Sequence, residues 1–337
     1  MNLETIARLS GVSRSTVSRV INNSPNVSPE ARERVLQVIR DTNFQPNIAA
    51  RSLATGSTHI LGLVIPMNVG QVFVDPYFPL LIQGVSTACY AREYAVMLWL
   101  AEPEHERRTS RQILHSGLID GVVISSIQKD DSLVDAMLER HFPFVMIGRP
   151  FFQESVHCVD VDNIGGAFRA TTLLYNQGRQ RVATITGPAT MIAGVDRLEG
   201  YRQAIHTCGL PYDPVLVEEA AFTQESGYAA ARRLLPHHPD ALFCASDAMA
   251  QGAYRAIQEA GLRIPEDIAV VGFDDMPFSA HMQPPLATVR QPIQQLGSMA
   301  VNTLIKVLNG PERAQPYKVI LPTELVIRTS CGSPPGF

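Results

Sequence analysis

The chain has 337 residues, of which 45% are hydrophobic and 18% charged, and a formal net charge of −4, a composition typical of a globular protein rather than a disordered one. No apolar run approaches the ~20 residues of a membrane-spanning helix, and the first residues lack the features of a secretory signal. Five scattered cysteines without a C-x-x-C pair exclude a zinc ribbon and argue against a disulfide framework, so the sequence predicts a soluble, cytoplasmic protein of two or three domains.

The N-terminal segment is more basic than the rest of the chain. Residues 1–58 contain seven arginines and four acidic residues, a balance of +3, which leaves −7 for residues 59–337. A basic head on an acidic body is typical of a protein that contacts nucleic acid with the head alone. An excess of this size also falls within ordinary variation, so charge by itself leaves both interpretations open.

Three short helices are predicted in the first 45 residues. The apolar residues of the first segment have helical spacing, and Gly11 ends that helix. Ser13 is a good N-cap for a second helix at Arg14–Asn22, and a third begins after Ser28 with a proline in its first turn. Two helices joined by a tight glycine-containing turn and supported by a third form a helix-turn-helix.

The second helix is predicted to contact DNA. Arg14 and Ser15 at its start, with Arg19 one turn later, can project into a major groove, where arginine contacts guanine with two hydrogen bonds. Short hydroxyl side chains beside them suit phosphate contacts, which fix position rather than sequence; they are Ser13, Thr16 and Ser18. A surface helix with two solvated arginines has the same spacing, so the helix alone does not distinguish a DNA-contacting helix from an ordinary surface helix.

Residues 46–58 are predicted to link the head to the body. The part from Asn47 to about Ala54 is compatible with a helix but is too short to be stable alone in water, so it would fold only when docked. Ala50 is small enough to approach a groove closely, and the apolar Leu53 is suited to wedge between base steps. The alternative is a plain linker in which Leu53 packs on a domain face.

From His59 onward, apolar strands alternate with amphipathic helices, which predicts parallel sheets covered on both faces. Two successive series predict two doubly wound lobes, about 59–160 plus 290–318 and about 161–289 plus 319–337, with a ligand cleft between them at the carboxyl ends of the strands. The predicted strands are Ile60–Pro66, Ala95–Leu100, Gly121–Ser125, Phe144–Ile147, Cys158–Val161, Val182–Thr186, Val215–Glu218, Ala241–Ala245, Ile268–Phe273 and Tyr317–Leu325.

Nine different short motifs follow one another along the chain in a characteristic order and spacing. In the first part they are Gly11-Val12-Ser13-x-x-Thr16-Val17-Ser18-Arg19-Val20-x-Asn22, Val27-Ser28-Pro29-Glu30 and Pro46-Asn47-x-x-Ala50-Arg51-Ser52-Leu53. In the body they are Pro76-Tyr77-Phe78, Asp120-Gly121, Asp162-Asn163, Arg197-x-x-Gly200-Tyr201, Val271-Gly272-Phe273-Asp274-Asp275 and Pro285-Leu286-x-Thr288-Val289. Together they resemble the lactose-repressor (LacI/GalR) family over essentially the whole chain.

This resemblance implies an all-α helix-turn-helix domain at 1–45, a hinge at 46–58 and a two-lobed α/β body at 59–337 of periplasmic-binding-protein type. It also implies a homodimer, or a dimer of dimers, on a pseudo-palindromic operator. Arg14, Ser15 and Arg19 match the base-reading positions of the family, and Leu53 matches its minor-groove wedge. The hinge-helix positions are Asn47, Ala50 and Arg51. The sequence ends without a leucine-heptad extension, so a dimer is expected.

The resemblance also implies a small-molecule effector in the cleft. Aromatic faces suit a sugar or a flat base, an arginine fork can engage adjacent hydroxyls or a carboxylate, and a carboxylate can accept hydroxyl hydrogen bonds. The residues expected to contact the effector are Tyr77, Phe78, Asp162, Arg197, Phe222, Ser246 and Asp274. Met191 and Ala193 stand where purine-responsive relatives have polar groups, which favours an uncharged sugar or glycoside over a purine.

The sequence favours a repressor of carbohydrate-metabolism genes that is controlled by a sugar. Two other binding functions remain: a solute receptor of periplasmic-binding-protein type, and a regulator whose co-effector is a protein. An enzyme is not expected, because the chain lacks a G-x-G-x-x-G after a strand, a G-x-x-x-x-G-K-[ST] and a G-x-S-x-G. The histidines have no metal-binding spacing, so we expect neither a metal nor an organic cofactor.

Overall fold

The computed structural model describes residues 1–21, 24–44, 57–67, 69–100, 117–125, 128–129, 132–152, 155–310 and 315–332. The chain divides into two compact units, Met1–Thr58 and His59–Phe337. The hinge residues singled out in the sequence lie outside the described residues; they are Asn47, Ala50, Arg51 and Leu53. Within the described ranges, no helix is long and apolar enough to cross a bilayer.

The N-terminal unit contains the three expected helices. They are α1 (Leu3–Ser10), α2 (Arg14–Ile21) and α3 (Pro29–Thr42). Gly11 ends α1 in a left-handed conformation with φ 64°, which only a residue without a Cβ adopts at little cost. The Ser13 hydroxyl accepts from the Thr16 N–H at 3.1 Å, and Ser28 caps α3 through the Ala31 N–H at 3.3 Å. The predicted caps are confirmed.

A small apolar core holds these helices together. Ile6 of α1, Val17 and Val20 of α2 and Val35 of α3 are buried. Their spacing places one face of each helix inward, so the opposite face of α2 is available for contacts outside the unit.

The second unit consists of alternating strands and helices. The strands are β1 (Ile60–Ile65), β2 (Ala95–Leu100), β3 (Gly121–Ser125), β4 (Phe144–Ile147), β5 (Cys158–Val161), β6 (Val182–Thr186), β7 (Val217–Glu219), β8 (Ala241–Cys244), β9 (Ala269–Asp274), β10 (Ala287–Arg290), β11 (Lys318–Leu321) and β12 (Glu324–Val326). The helices are α4 (Val69–Val74), α5 (Tyr77–Tyr90), α6 (Ser132–Glu139), α7 (Asn163–Asn176), α8 (Ile192–Thr207), α9 (Gln224–Leu234), α10 (Asp247–Glu259) and α11 (Ile293–Asn309).

The strands form two six-stranded sheets, one in each lobe. The order is β11-β5-β4-β3-β1-β2 in lobe 1 and β12-β10-β9-β8-β6-β7 in lobe 2. The pairs are parallel except for β12, which is antiparallel to β10. In the described residues the chain passes between the lobes after β5, after β10 and after β11. Parallel strands place their carboxyl ends at one edge, so the loops that follow them in both lobes face a common cleft.

Helices cover both faces of each sheet. In β3, Val122 and Ile124 pack against Leu133 and Met137 of α6, whereas Val123 points into the opposite cluster with α5 and α11. Lobe 2 is built in the same way, with α9 and α10 on one face and α7 and α8 on the other. This arrangement confirms the two doubly wound lobes predicted from the strand series.

Two strand predictions need correction. The segment Tyr317–Leu325 is two strands in different lobes, because Pro322 between them has no N–H to continue a ladder. The stretch Lys318–Leu321 therefore belongs to lobe 1. The last segment of lobe 2 was predicted to begin at residue 319, which is about three residues too early. The segment Val215–Glu218 begins as a 3-10 turn at Pro214–Leu216, capped by Asp213, so the strand there is only Val217–Glu219.

Candidate functional site

The outward face of α2 carries the side chains expected to contact DNA. Arg14, Ser15 and Arg19 are exposed on the side opposite the buried Val17 and Val20. Arg14 forms only a loose, exposed ion pair with Glu4, with 3.7 Å between Nη1 and Oε1. Such a pair contributes little to stability, so the guanidinium is free to exchange Glu4 for a base or a phosphate.

The hydroxyl side chains beside these arginines have a local structural role. Ser13 Oγ lies 2.7 Å from Ser15 Oγ and 2.8 Å from Thr16 Oγ1. Ser13 is exposed, and Thr16 and Ser18 are half-buried at the edge of the same face. The Ser13 hydroxyl therefore caps the helix, and the three hydroxyls lie beside the exposed arginines, so their expected phosphate contacts stay a prediction.

In the second unit, a cavity of about 650 Å³ lies between the two lobes. It is lined by the loops after the parallel strands of both sheets, as the topology requires. Six of the seven expected effector contacts line it: Tyr77, Phe78, Arg197, Phe222, Ser246 and Asp274. The volume is in the range of cavities that enclose a small organic ligand.

Arg197, in the second turn of α8, is held rigidly at the base of the cavity. Its Nε donates to Asn163 Oδ1 at 2.9 Å, and its Nη1 donates to the Ala245 carbonyl at 2.6 Å and to Asp274 Oδ1 at 3.3 Å. The Phe273 ring supports it from one side, with 3.7 Å from guanidinium carbon to ring centre. The side chain is only 6% exposed.

These contacts leave Nη2 of Arg197 for a ligand. None of the described residues accepts a hydrogen bond from Nη2, and this atom is not completely shielded from solvent. Its two N–H groups have the geometry that engages a pair of adjacent acceptors. The arginine is thus fixed by the protein on one edge and open to the cavity on the other.

Asp274, the last residue of β9, faces Arg197. Its Oδ1 also accepts from Gln291 Nε2 at 2.6 Å, and its backbone has φ 118°, a strained value for a non-glycine residue. Burial raises the pKa of this carboxyl well above its ordinary value, against the opposing effect of the Arg197 charge. Within the described part of the chain Oδ2 has no hydrogen-bond donor, so it can accept one from a ligand hydroxyl.

Aromatic side chains line both walls of the cavity. Tyr77 and Phe78 begin α5 in lobe 1, with their rings in an edge-to-face arrangement 5.2 Å apart. Phe222 lies opposite, in the loop before α9, 5.8 Å from the Arg197 guanidinium carbon. Burial raises the pKa of Tyr77, so its hydroxyl stays protonated and able to donate.

Asp162 is the one expected effector contact that does not line the cavity. Its carboxylate caps α7 by accepting from the Gly165 N–H at 2.9 Å, and it pairs with Arg169 at 3.1 Å. The expectation is corrected, because Asp162 belongs to the crossing between the lobes. Its neighbours Asp160 and Asn163 line the cavity instead; Asn163 donates to Asp160 Oδ1 at 3.0 Å, and burial raises the pKa of Asp160.

Sequence reasoning missed Asp75, which also lines the cavity. Its Oδ1 accepts from the Tyr77 N–H at 3.0 Å, and burial raises its pKa. Asp75 directly precedes the Pro76-Tyr77-Phe78 motif, and this position is the sequence feature that could have identified it as a cavity residue. The short helix α4 directly precedes Asp75, and its Gly70 and Val74 line the cavity.

Two features bear on the class of ligand. Met191 and Ala193, the two residues whose apolar character favours a sugar over a purine, line the cavity. Ser246 caps α10 through the Met249 N–H at 3.2 Å, and its hydroxyl still has a hydrogen to donate. Among the described residues, no cluster of three or more His, Cys, Asp or Glu side chains is arranged to hold a metal.

The lobes touch at the edge of the cavity. Arg149, after β4 in lobe 1, donates from Nε to Asp196 Oδ2 of α8 at 2.9 Å. Nearby, the Lys129 N–H of lobe 1 donates to the Thr190 carbonyl of lobe 2 at 2.9 Å. Both contacts join the two walls of the cleft.

Comparison with protein-family models matches both parts of the chain. Residues 2–47 match the model for bacterial regulatory proteins of the lacI family, and residues 171–331 match a periplasmic binding protein-like domain. A curated relative, the HTH-type transcriptional regulator CelR of Thermobifida fusca, is 41% identical over 334 residues, which is 97% of this chain and 97% of the relative.

Solved structures give the same result. A CelR–cellobiose complex is 38% identical, with a TM-score of 0.79, and the match covers 98% of this chain and 99% of that one. The lac repressor dimer bound to operator and the anti-inducer ONPF is 26% identical, with a TM-score of 0.85 over 98% of this chain and 99% of that one. The likeness therefore extends over the helix-turn-helix and both lobes.

Proposed function

The chain belongs to the lacI family of bacterial regulatory proteins, and we propose that it is a repressor of carbohydrate-metabolism genes whose operator binding is controlled by an uncharged sugar in the cleft. The single observation that carries the sugar proposal is the Arg197–Asp274 pair. It presents an open pair of N–H donors next to an open carboxylate oxygen. Neighbouring hydroxyls of a sugar, each a donor and an acceptor, complement this set.

The charges of the cleft favour a neutral ligand. Arg197 is paired with Asp274, and Arg149 is paired with Asp196. The half-buried Asp75 and the buried Asp160 add carboxyl groups to the same walls, and burial raises the pKa of both. An anionic ligand such as a sugar phosphate would need unpaired cations in the cavity and would meet these carboxyl groups. The third cationic side chain of the lining, Lys129, is exposed.

The aromatic walls and the relatives favour a sugar over other neutral ligands. Pyranose rings have apolar C–H faces that stack on aromatic side chains, and Phe222 with Tyr77 and Phe78 provides such faces on opposite walls. A relative 41% identical to this chain is CelR, and cellobiose is the ligand in the CelR complex of similar structure. Cellobiose is accordingly the first compound that we would test.

The DNA-binding half follows from α2. Its exposed Arg14, Ser15 and Arg19 supply base contacts, and a homodimer would place two such helices on the half-sites of a pseudo-palindromic operator. The hinge residues would add minor-groove contacts, with Leu53 as the wedge. A protein with this target acts where the bacterial chromosome lies, so we place it in the cytoplasm.

We propose a regulator and not an enzyme. Arg197 and Asp274 are paired with each other, and the strained backbone of Asp274 places its carboxyl group against Arg197, so their open atoms are oriented toward a ligand. Operator and effector would then favour different arrangements of the lobes, so that each changes the affinity for the other by the same factor.

The test uses the purified full chain. Duplexes that it binds are selected from a random pool at physiological salt, and the selected duplex is titrated with cellobiose, with glucose 6-phosphate and with a purine base. We expect an inverted-repeat site and a change of operator affinity with cellobiose alone. Selection of no preferred sequence would contradict the DNA-binding half. A response to the phosphate or the purine in place of cellobiose would contradict the neutral-sugar half.

A further inference from the structure

Gly187, the residue after β6, has no side chain where the ring of Phe222 lies. A Cβ built on Gly187 would stand 2.0 Å from Cζ of Phe222 and 2.6 Å from both Cε1 and Cε2. Non-bonded carbon atoms do not approach so closely. The outer end of the Phe222 ring therefore occupies the space that any other residue at position 187 would fill.

The backbone of Phe222 is fixed independently of this contact. Its φ is 58°, in the left-handed region, which is strained for an aromatic residue. Ser226 Oγ accepts from the Ala221 N–H at 3.1 Å and from the Thr223 N–H at 3.2 Å, on either side of it. Thr223 is also the N-cap of α9, with a reciprocal bond to Ser226. Because the backbone of Phe222 is held and the clashing atoms form the outer end of its ring, the ring is the part that moves most easily to relieve a clash at Gly187.

The ring has little room to move without affecting the site. It lines the cavity and lies 5.8 Å from the Arg197 guanidinium carbon, so rotation away from Gly187 changes the surface that faces the ligand. We propose that Gly187 is a positioning residue for the effector: it does not line the cavity, but it sets the plane of the Phe222 ring on which a sugar stacks. This inference rests on the proposed sugar-binding function.

The experiment is a double-mutant cycle with Gly187→Ala, Phe222→Ala and the two combined. Binding of cellobiose is measured by calorimetry and unfolding by urea. Gly297→Ala is the matched control, because its added Cβ would also be crowded, 2.7 Å from the Leu81 carbonyl oxygen, but in lobe 1 between α5 and α11. This control shows how a crowded methyl group far from Phe222 changes cellobiose affinity and stability to urea.

We expect Gly187→Ala to weaken cellobiose binding roughly fivefold to tenfold, the value of one aromatic stacking contact. In the Phe222→Ala background the same change should have no effect, and Gly297→Ala should leave the affinity unaltered. Wild-type affinity in Gly187→Ala, or an equal loss with and without Phe222, would overturn the proposal.

The unfolding data separate this inference from the proposed function. If the wild-type chain does not bind cellobiose, the choice of sugar is contradicted. The double-mutant cycle measured by urea unfolding still shows whether Gly187 and Phe222 interact. A loss of stability in Gly187→Ala that disappears when Phe222 is removed supports the positioning of the ring. Additive losses of stability would show that Gly187 and Phe222 do not act on each other, and the inference would fail.

Discussion

Arg149 and Asp196 form an ion pair between the two lobes, with Nε 2.9 Å from Oδ2 and a second bond from Nη2 to Oδ1. Asp196 immediately precedes Arg197, so the residue that joins the lobes and the residue that faces the ligand are adjacent on α8. Asp196 is almost fully buried, whereas the Arg149 side chain is 44% exposed. The pair therefore links the two lobes directly beside the arginine that faces the ligand.

Replacing Asp196 with Asn should weaken closure of the cleft. The variant keeps the shape of the side chain and loses its charge, and for a half-exposed arginine we expect a cost of about 1 kcal/mol. Cellobiose should then dissociate roughly fivefold faster, which stopped-flow displacement measures. Asp267→Asn is the control, since it breaks an exposed pair with Arg263 elsewhere in lobe 2. Unchanged dissociation would mean that the pair does not hold the cleft shut.

Arg197→Lys should separate effector binding from folding. A lysine retains a positive charge near the buried Asp274, so the carboxylate is not left unpaired, but it lacks the second nitrogen that faces the cavity. Loss of charge-assisted hydrogen bonds to ligand hydroxyls should weaken cellobiose binding by about two orders of magnitude. Operator affinity without sugar should remain, as measured by fluorescence anisotropy. An intact response to cellobiose would refute the assignment of Arg197.

Arg19→Ala should relax the base preference of the N-terminal unit. If Arg19 contacts a guanine, its loss costs about 1–3 kcal/mol of discrimination at one position of each half-site. Competition between the selected duplex and its single-base variants measures this. Arg40→Ala, on α3 and paired with Glu33, removes an equal charge from the same unit. A uniform loss of affinity for all duplexes in both variants would indicate phosphate contacts instead.

The stability of the second unit should depend on pH through Asp247. Burial raises the pKa of this carboxyl from 3.8 to about 6, although it accepts from Ser279 and Thr288 at 2.6 Å each. The folded state therefore binds the proton more tightly than the unfolded state, so the contribution of Asp247 to stability falls as pH rises from about 4 through 6.

Comparing the wild type with Asp247→Asn isolates this contribution. The variant is less stable overall, because its amide nitrogen cannot accept hydrogen bonds. The advantage of the wild type over the variant should shrink by about 1 kcal/mol between pH 5 and pH 7.5, as measured by urea unfolding. Asp267 has the opposite sign, since its partner Arg263 lowers its pKa, so its contribution is lost only as pH falls. A constant difference for Asp247→Asn would contradict the raised pKa.

The sequence determined those features that depend on local patterning. Helix caps at Ser13 and Ser28 specify where α2 and α3 begin, because their hydroxyls satisfy N–H groups a few residues away. Apolar strands alternating with helices specify two parallel sheets, and Arg197 and Asp274 were identified by their motifs. These signals are short-range, so they can be read along the chain.

Only the tertiary structure decided which side chains meet. Asp162 and Asp160 are two residues apart in one segment, yet one caps a helix and the other lines the cavity. The Arg149–Asp196 pair joins residues 47 positions apart in different lobes, and Gly187 bears on the ligand only through the ring of Phe222. Such contacts depend on how two sheets and their crossing segments pack in space, and packing between distant segments has no counterpart in local periodicity or motif spacing.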